Sequence, residues 1–422
     1  MKYIDKLLQG APVEWKSINQ VFSLYNGMRG VSLKWAESGN CLFIDYLNAY
    51  NNIKIDVSLL QNATVKKLNQ NVIEHGDILL TSASETPQEC AVSSVVEDEI
   101  KKGVFLDDHL FGLRLRQEYK EIVNTPFVNY FFHSSLFRAF VQKAVRGVTR
   151  FYISNAAFLK LTIPIPPLAV QEEVVRVLDT FTTLEAELEA ELDCRKRQYQ
   201  YYRDALLSFV PDSNDGLCHS PLIPTPFAVE WRPLSEITTK VDKIKWGSIL
   251  MTEQYEYIDL SSIDIKTSQI IDTAVISSTN HPSRAQQIVK TNDILFGTTR
   301  PTLMRCYLIP QYYDNQICST GYCVIRPDTS IVHPHLIYHV LSSSAFRVYV
   351  ERFQEGEPYP SISDKLILSY SIPIPPLAVQ ERIVKMLDKF DTLVHSISEG
   401  LPREIALRRK QYEYYRDALL TF

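Results

Sequence analysis

The sequence predicts an α+β protein with a pseudo-two-fold internal repeat, in which a mixed strand-and-helix segment and a long helical segment each occur twice. Ten residues at 163–172, IPIPPLAVQE, recur unchanged 209 positions later at 372–381. The helical tails at 195–209 and 408–422 are identical at eleven of fifteen positions. A period this long indicates duplicated domains rather than a solenoid of short repeats.

The beginnings of the two halves can be matched as well. Val-Glu-Trp at 13–15 recurs at 229–231, and Asp-Ile-Leu at 77–79 recurs at 293–295, both 216 positions apart. Between these matched stretches the two halves differ almost completely. This pattern favours two sensors for different targets on one shared frame.

Length and composition indicate a globular protein. The chain has 422 residues, 45% of them hydrophobic, which is enough for about three domains. No apolar run reaches signal-peptide or membrane-spanning length, so we expect a cytoplasmic protein without a membrane partner. Seven cysteines without a C-x-x-C pair argue against a disulfide framework and a four-cysteine zinc site.

The charge is unevenly distributed along the chain. A formal net charge of −5 counts against nucleic-acid binding, which usually requires a basic surface. However, residues 172–193 contain eight acids and one base, a local balance of −7, so the remaining residues sum to +2. The divergent segments are therefore not acidic.

Each divergent segment predicts strands followed by a helix. Short apolar runs such as GDILLTS at 76–82 are broken by Gly, Asn and Asp, as in strands joined by turns. In the first half, Thr125 is the predicted N-cap of a helix that ends near Gly147. In the second half, the matching helix begins at Pro334 and ends before Gly356.

A long helical region follows each Ile-Pro-Ile-Pro-Pro run. The run itself favours an extended backbone, with Pro167 and Pro376 as helix starts. The first region is predicted to break at 179–183, where Thr182 and Glu185 have capping-box spacing. The second is predicted to break near Gly400 and Pro402. Apolar residues in both tails recur at heptad-like spacing, which is typical of a helix packed along another helix.

Shorter segments complete the organisation. Residues 184–192 repeat the tetrapeptide E-A-E-L, and each unit would add about 6 Å of helix. Residues 211–224 have the Pro, Ser, Asn and Asp content of a linker. YIDKLL at 3–8 echoes YRDALL of both tails, so residues 1–12 are predicted to pack on the C-terminal scaffold.

Together these motifs resemble the specificity subunits of type I restriction-modification systems. The I-P-I-P-P-L-x-x-Q-E run, the E-A-E-L units, the R-x-x-Q-Y-x-Y-Y-R-D-x-L-L tail and the opening Val-Glu-Trp recur twice in family order across the whole chain. The resemblance implies two target-recognition domains, at 13–160 and 225–370. It implies that two long antiparallel scaffold helices, from the regions 161–210 and 371–422, separate them.

The resemblance also implies a function and partners. Each recognition domain would read one half of a bipartite, asymmetric site in double-stranded DNA, and the helices would set the gap. Each scaffold region would bind one adenine methyltransferase subunit that uses S-adenosylmethionine. Two restriction subunits that use ATP and Mg can join such complexes. The chain itself would bind no cofactor or metal and would not be an enzyme.

Two loops in each half are the candidates for DNA contact, because phosphates are met by Lys and Arg, and base edges by Arg, Asn, Gln, Ser and Thr. One loop follows the Asp-Ile-Leu strand and the other follows the domain helix. Arg150 and Arg300 are the preferred base readers. The first-half candidates are Thr81, Ser82, Ser84, Lys143, Arg146, Thr149 and Arg150. The second-half candidates are Thr298, Thr299, Arg300, Arg305, Arg352, Tyr359 and Ser361.

The methyltransferase interface is expected on the duplicated scaffold residues. These are Gln171, Glu172, Tyr199, Tyr202 and Arg203, with Gln380, Glu381, Tyr412, Tyr415 and Arg416. The tyrosines could also stack on bases, although their heptad spacing favours helix packing or a protein partner. His333, His335 and His339 lack further ligands at metal-site spacing, so a packed histidine at a solvated helix start is favoured over a metal site.

Catalytic motifs are missing from the sequence. It contains no G-x-x-x-x-G-K-[ST], G-x-G-x-x-G or H-E-x-x-H, and no Asn-Pro-Pro-Tyr or Asn-Pro-Pro-Phe of the adenine methyltransferase kind. Two alternatives stay open. The chain could be a protein-interaction scaffold with two divergent binding domains, or an enzyme whose site has no recognisable motif. The acidic charge fits either a scaffold or a DNA reader whose partners supply much of the basic surface.

Overall fold

The computed structural model describes residues 3–28, 39–64, 71–100, 103–211, 217–265, 269–396 and 399–422. The chain divides into two compact units. The first unit comprises Met1–Ala186 with Leu407–Phe422, and the second comprises Glu187–Ala406. Each unit contains antiparallel sheets and helices, so the predicted α+β fold class with an internal repeat is confirmed. Among the described residues, no helix is long and apolar enough to cross a membrane.

The helices are α1 (Tyr3–Leu8), α2 (Ile18–Val21), α3 (Tyr46–Asn51), α4 (Thr125–His133), α5 (Ser135–Ala144), α6 (Asn155–Phe158), α7 (Leu168–Leu206), α8 (Pro334–Leu341), α9 (Ser344–Phe353), α10 (Asp364–Leu368), α11 (Leu377–His395) and α12 (Leu401–Leu419). The strands before α7 are β1 (Glu14–Ser17), β2 (Phe22–Asn26), β3 (Cys41–Ile44), β4 (Gln61–Ala63), β5 (Ile78–Thr81), β6 (Ala83–Ser84), β7 (Ser93–Val95), β8 (Val104–Leu106), β9 (Leu110–Leu115), β10 (Phe151–Tyr152) and β11 (Thr162–Ile165). The strands after α7 are β12 (Val210–Pro211), β13 (Cys218–Ser220), β14 (Ile223–Phe227), β15 (Glu230–Pro233), β16 (Thr238–Thr239), β17 (Gln254–Ile258), β18 (Ala274–Ser277), β19 (Ala285–Ile288), β20 (Ile294–Gly297), β21 (Cys306–Leu308), β22 (Ile317–Ser319), β23 (Tyr322–Pro327) and β24 (Ser371–Ile374).

The first unit is built on a four-stranded antiparallel sheet in the order β2-β9-β5-β7. Ile78 of β5 pairs with Leu113 on one side and Val95 on the other. Strand β5 is central and its residues are buried on both faces, so its run of apolar residues follows from its position. A three-stranded sheet, β4-β3-β8, lies in the same unit. Phe127, Phe131 and other aromatic residues of α4 fill the main core.

The second unit repeats this sheet with β16-β23-β20-β21. Ile294, which is the match of Ile78, pairs with Ile325 and Leu308. Among the residues that the structure describes, its second sheet has four strands, β18-β17-β22-β19, and the first unit's second sheet has three. The segment 211–224, predicted as a linker, contributes to a small sheet, β12-β13-β14, in its described part. Ser220 Oγ donates to the Ala205 carbonyl at 3.0 Å and attaches this sheet to the end of α7.

The Ile-Pro-Ile-Pro-Pro runs are extended, as predicted. In the first unit β11 pairs with β1, and Glu14 faces Ile165. In the second unit β24 pairs with β15, and Glu230 faces Ile374. Each pair is a two-stranded ribbon, an edge where proline is tolerated because its missing N–H is not needed. The helices begin immediately after these runs, at Leu168 and Leu377.

Each duplicated tail packs into the core of the unit that contains the recognition segment of the other repeat. Tyr412, Leu419 and Leu420 of the second tail lie in the main core of the first unit, together with Ile4 of α1. Tyr199 and Leu206 of the first tail lie in the main core of the second unit. The two compact units therefore do not coincide with the two sequence repeats.

The predicted helix break at 179–183 is wrong, because α7 continues through it. The Thr182 hydroxyl donates to the Asp179 carbonyl within the helix at 3.1 Å instead of capping a new helix. Glu185 accepts from Arg409 at 2.7 Å instead of closing a capping box. The E-A-E-L repeat that follows consists of strong helix formers, which favours continuation.

Two other helix boundaries can be compared with the sequence. The predicted interruption near Gly400 is confirmed, since α11 ends at His395 and α12 begins at Leu401. The predicted N-cap at Thr125 is wrong by one residue. Asn124 is the cap, and its side-chain oxygen accepts from the Phe127 N–H at 3.0 Å.

Candidate nucleic-acid interface

In the second unit the two candidate loops lie against each other. The backbone N–H of Arg300 donates to the Pro360 carbonyl at 2.7 Å. Thr299 and Ser361 form an isolated antiparallel bridge. The Arg300 guanidinium lies 4.6 Å from the centre of the Tyr359 ring, which is within cation–π range. Both side chains are exposed, so they form a cationic and aromatic surface at the meeting of the loops.

Arg300 has an unusual backbone conformation. Its φ of 49° and ψ of 58° lie in the left-handed region, which non-glycine residues rarely occupy. Met304, four residues later, is also left-handed. The loop therefore makes two tight turns around the short 3₁₀ helix Pro301–Leu303. Such strained positions are kept where the surrounding contacts determine them, and here the bond to Pro360 is one such contact.

The first unit brings its two loops together in the same way. Strand β6 pairs with β10, and Ser84 faces Phe151. By repeat position and by pairing, Ser84 matches Arg300 and Arg150 matches Tyr359. The arginine thus comes from the second loop in the first unit and from the first loop in the second unit. Thr149 and Arg150 are exposed there.

Several candidates are oriented towards the protein interior. Thr81 is fully buried, and its hydroxyl accepts from the Val92 N–H at 3.0 Å. Ser84 is buried as well. Ser82 and Thr298 donate to the carbonyls of His109 and Gly321, at 2.7 and 2.8 Å. These hydroxyls hold the loops in shape, so direct base contact through Thr81 or Ser84 is not supported.

The remaining cations differ in exposure. Lys143 and Arg146, near the end of α5, are exposed, and so is Arg352 of α9. Arg352 lies 5.5 Å from the ring centre of Phe353. Arg305 is half-buried, and its Nε is buried without a hydrogen-bond acceptor among the described residues.

Two scaffold glutamines make the same set of bonds in the two units. The Gln171 side chain accepts from the Asn124 N–H at 2.8 Å and donates to the carbonyls of Ile122 and Pro166. Gln380 accepts from the His333 N–H at 2.8 Å and donates to the carbonyls of Ile331 and Pro375. Both are buried. Their amides join each scaffold helix to the adjacent domain helix.

The prediction that these two glutamines contact a partner is therefore corrected. Buried amides that are bonded internally have no free donor to offer, whereas Glu172 and Glu381, one residue later, are exposed.

The tail residues also serve mainly inside the units. Tyr199 and Tyr412 are buried. Tyr202 stacks on Phe390 and Tyr415 stacks on Phe181, both with ring centres 5.1 Å apart. The guanidinium groups of Arg203 and Arg416 lie over the rings of Tyr199 and Tyr412. The most exposed aromatic residues of the two tails are Tyr201 and Tyr414, at 65% and 70% exposure, and Tyr415 is exposed to a lesser degree.

Sequence reasoning missed one pair of aspartates. Asp204 accepts from the Ser344 N–H at 3.1 Å, and Asp417 accepts from the Ser135 N–H at 2.9 Å. Each carboxylate thus lies at the N-terminus of a domain helix, where negative charge is favoured. The available signal was that both tails carry an aspartate at the same position. The sequence does not show that each aspartate accepts a hydrogen bond from the first residue of a distant helix.

The histidines of the second unit form a polar network rather than a metal-like cluster. Asp388 contacts His335 Nδ1 at 2.9 Å and His339 Nε2 at 2.8 Å. His339 is buried, and its Nδ1 lies 3.0 Å from the Tyr199 hydroxyl. Burial lowers the pKa of His339. Burial opposes ionisation of Asp388, but the hydrogen bonds from the two histidines outweigh it and hold its pKa below the ordinary range.

A family comparison assigns the chain to a known group. The family model of the type I restriction modification DNA specificity domain matches residues 12–193 and 237–407. The chain belongs to this family. The resemblance inferred from the repeated motifs is therefore confirmed.

Individual members of the specificity-subunit family agree with this assignment. A type I restriction enzyme specificity subunit of Escherichia coli is 36% identical over 287 residues, covering 65% of this chain and 66% of that protein. A putative specificity subunit of Haemophilus influenzae is 28% identical over 437 residues, covering 100% and 98%. The crystal structure of an S subunit from M. genitalium covers 98% of this chain and 97% of that one, with a TM-score of 0.51 and 13% identity. That likeness supports the fold.

Proposed function

We propose that the chain is the DNA sequence-specificity subunit of a type I restriction-modification complex. Each of the recognition domains at 13–160 and 225–370 would read one half of a bipartite, asymmetric DNA site. The helical regions at 161–210 and 371–422 would set the spacing between the half-sites and recruit one adenine methyltransferase subunit each. The N-terminal segment, 1–12, would stabilise the end of the second region.

One contrast between the units carries this proposal. Their internal frames use the same bonds, at Gln171 and Gln380 and again at Asp204 and Asp417. Their convergent loops are joined by the same backbone pairing but carry different side chains. A shared frame with different exposed side chains is what two readers of different half-sites require, because bases are distinguished by the donors and acceptors offered to them.

The partners would supply the chemistry. S-adenosylmethionine would bind to the methyltransferase subunits, and ATP and Mg to the two restriction subunits where these are present. The exposed duplicated residues Glu172, Glu381, Tyr201 and Tyr414 are the scaffold positions best suited to contact two copies of one partner. The chain's own role would be to position these partners on DNA in the cytoplasm.

The acidic net charge favours a second candidate, a protein-interaction scaffold without DNA binding. The two candidates differ in salt dependence. A DNA reader that neutralises several phosphates loses affinity steeply as salt rises. The logarithm of its binding constant falls with the logarithm of the salt concentration, with a slope of about −0.9 per neutralised phosphate. We would measure binding of duplex DNA by the chain and its methyltransferase subunits from low to high salt. Tight, salt-dependent and sequence-dependent binding is expected, and no binding at low salt would favour the scaffold.

A further inference from the structure

The first unit contains an open cleft of about 580 Å³ beside the meeting of its two loops. Ser84 and Arg150, the matches of Arg300 and Tyr359, line it. Tyr46 and Tyr50 of α3 form an aromatic wall, with ring centres 5.6 Å apart and planes 17° from parallel. The cleft also contains Glu85 and Glu89, which follow β6 in the chain.

Glu89 is held in place by several donors. It accepts from the Thr86 hydroxyl at 2.7 Å and from the Ser84 hydroxyl at 3.4 Å. A hydrogen bond to Glu89 raises the pKa of Tyr50 to about 12. Bonds from Thr86 and Tyr50 lower the pKa of Glu89, so its carboxyl group is ionised at neutral pH. Glu89 therefore positions Tyr50 in the aromatic wall and keeps a negative charge in the cleft.

Glu85 is exposed and has no hydrogen-bond or ion-pair partner among the residues that the structure describes. A carboxylate close to DNA is repelled by the phosphates, and a hydrogen bond that it accepts from a base offsets this repulsion. In the major groove, the exocyclic amino groups of adenine and cytosine are such donors, and guanine offers acceptors instead. A free acidic acceptor in the cleft that Arg150 also lines therefore favours adenine or cytosine, whose amino groups lie in the major groove.

The second unit differs at the matching place. Arg300 occupies the position of Ser84, and its guanidinium offers donors only. Arginine pairs with the O6 and N7 acceptors of guanine. The loop meeting of the first unit thus offers a carboxylate acceptor together with Arg150, whereas that of the second unit offers Arg300 against the Tyr359 ring. The two surfaces differ in hydrogen-bonding character, as two different half-sites require.

We infer that Glu85 of the first unit reads an adenine or cytosine in its half-site by accepting a hydrogen bond from the exocyclic amino group. Glu89 and Tyr50 are positioning residues for this reading. The inference rests on the proposed function and adds to it the class of base that the first cleft selects.

The test uses the chain in complex with its methyltransferase subunits and the half-site found for the wild-type complex. At each adenine or cytosine of that half-site, a duplex is made with a base that lacks the amino group, purine or 2-pyrimidinone. At one position, wild-type affinity should fall by a factor of roughly 5 to 150, the range expected for one specific base contact. The Glu85→Ala complex should bind the natural and altered duplexes equally at that position. Glu85→Gln, which keeps an acceptor oxygen, should retain part of the discrimination.

Glu99→Ala is the matched control, because Glu99 is an exposed glutamate of the same unit that does not line the cleft. It should behave as wild type. The inference is overturned if Glu85→Ala keeps full discrimination, relaxes a guanine or thymine position, or changes affinity equally for all duplexes. A wild-type complex that binds no DNA would overturn the proposed function, and this inference with it.

Discussion

The guanidinium of Arg300 lies 4.6 Å from the ring centre of Tyr359, 59 residues later in the chain. This contact joins two loops whose backbones are also bonded, through the Arg300 N–H and the Pro360 carbonyl. The Tyr359 ring restricts the side-chain conformations of Arg300 but does not neutralise its positive charge. A restricted and charged donor at an exposed surface is well suited to read a base edge, because little side-chain freedom remains to be lost on binding.

Replacing Arg300 by Ala should relax recognition at one base position of one half-site. The expected loss of discrimination is about 1–3 kcal/mol, the value of one good arginine–guanine pair. Methylation of a plasmid library with every base permuted at each site position would measure it. Arg382→Ala, at an exposed position of α11, is the control and should leave the motif unchanged. Equal relaxation in both half-sites would rule out a local role for Arg300.

The buried glutamines should matter for stability. Gln171→Ala leaves the Asn124 N–H and two carbonyls without their bonds, and Gln380→Ala does the same at His333. Each unsatisfied group costs about 1–3 kcal/mol, so each variant should unfold at clearly lower denaturant concentration. Glu172→Ala, at the exposed neighbouring position, should change the unfolding free energy by less than about 0.5 kcal/mol. Similar stability of the Gln171 and Glu172 variants would contradict this account of the frame.

Half-buried His133 should make the first unit sensitive to acid. Burial lowers its pKa to about 4, and its Nε2 lies 2.7 Å from the Ser93 carbonyl. In the unfolded chain histidine has a pKa of about 6.5, so the unfolded state binds more protons below that pH. The unfolding free energy should therefore fall by about 3 kcal/mol as pH drops from 6.5 to 4.

The His133 contribution can be isolated by substitution. His133→Gln keeps an N–H donor but cannot become charged, so chemical denaturation of this variant should show a flatter dependence on pH between 6.5 and 4. His75→Gln, at an exposed position, should retain the wild-type dependence. The same slope for His133→Gln and wild type would mean that His133 is not kept neutral by burial.

The continuous helix α7 makes a spacer prediction possible. Inserting one further E-A-E-L unit after Leu192 should lengthen the helix by about 6 Å and leave both half-site sequences unchanged. The gap between them should grow, since about 6 Å approaches two base-pair rises of about 3.4 Å. A Gly-Ser-Gly-Ser insertion at the same place is the control, because it should disrupt the helix rather than extend it. Altered half-site sequences in the E-A-E-L variant would refute a ruler role for the helix.

Much of the frame could be predicted from sequence because the chain repeats itself. The Ile-Pro-Ile-Pro-Pro strands and the interruption near Gly400 followed from the restricted backbone of proline and the helix-breaking effect of glycine. The loops around Arg300 and Tyr359 were chosen because they occupy matched places in the two halves, and they do lie together. Local chemistry and repetition were sufficient for these features.

Other features depended on contacts between distant parts of the chain. The capping-box spacing of Thr182 and Glu185 predicted a break, but Glu185 pairs with Arg409, 224 positions away. Thr81 was predicted as a DNA-contacting hydroxyl and is instead buried, with its hydroxyl accepting from the Val92 N–H. The cleft around Glu85 was missed because its aromatic wall comes from α3, about 35 residues earlier. No local pattern predicts such long-range packing.

The most direct test of DNA specificity is modification-sensitive long-read sequencing of a test genome. The chain would be co-expressed with the adenine methyltransferase subunit encoded nearest to it, and the methyltransferase subunit would be expressed alone as a control. We expect one bipartite, asymmetric motif to be methylated only when the chain is present. Co-purification of the two proteins without any new methylated motif would contradict the account and favour the protein-interaction scaffold.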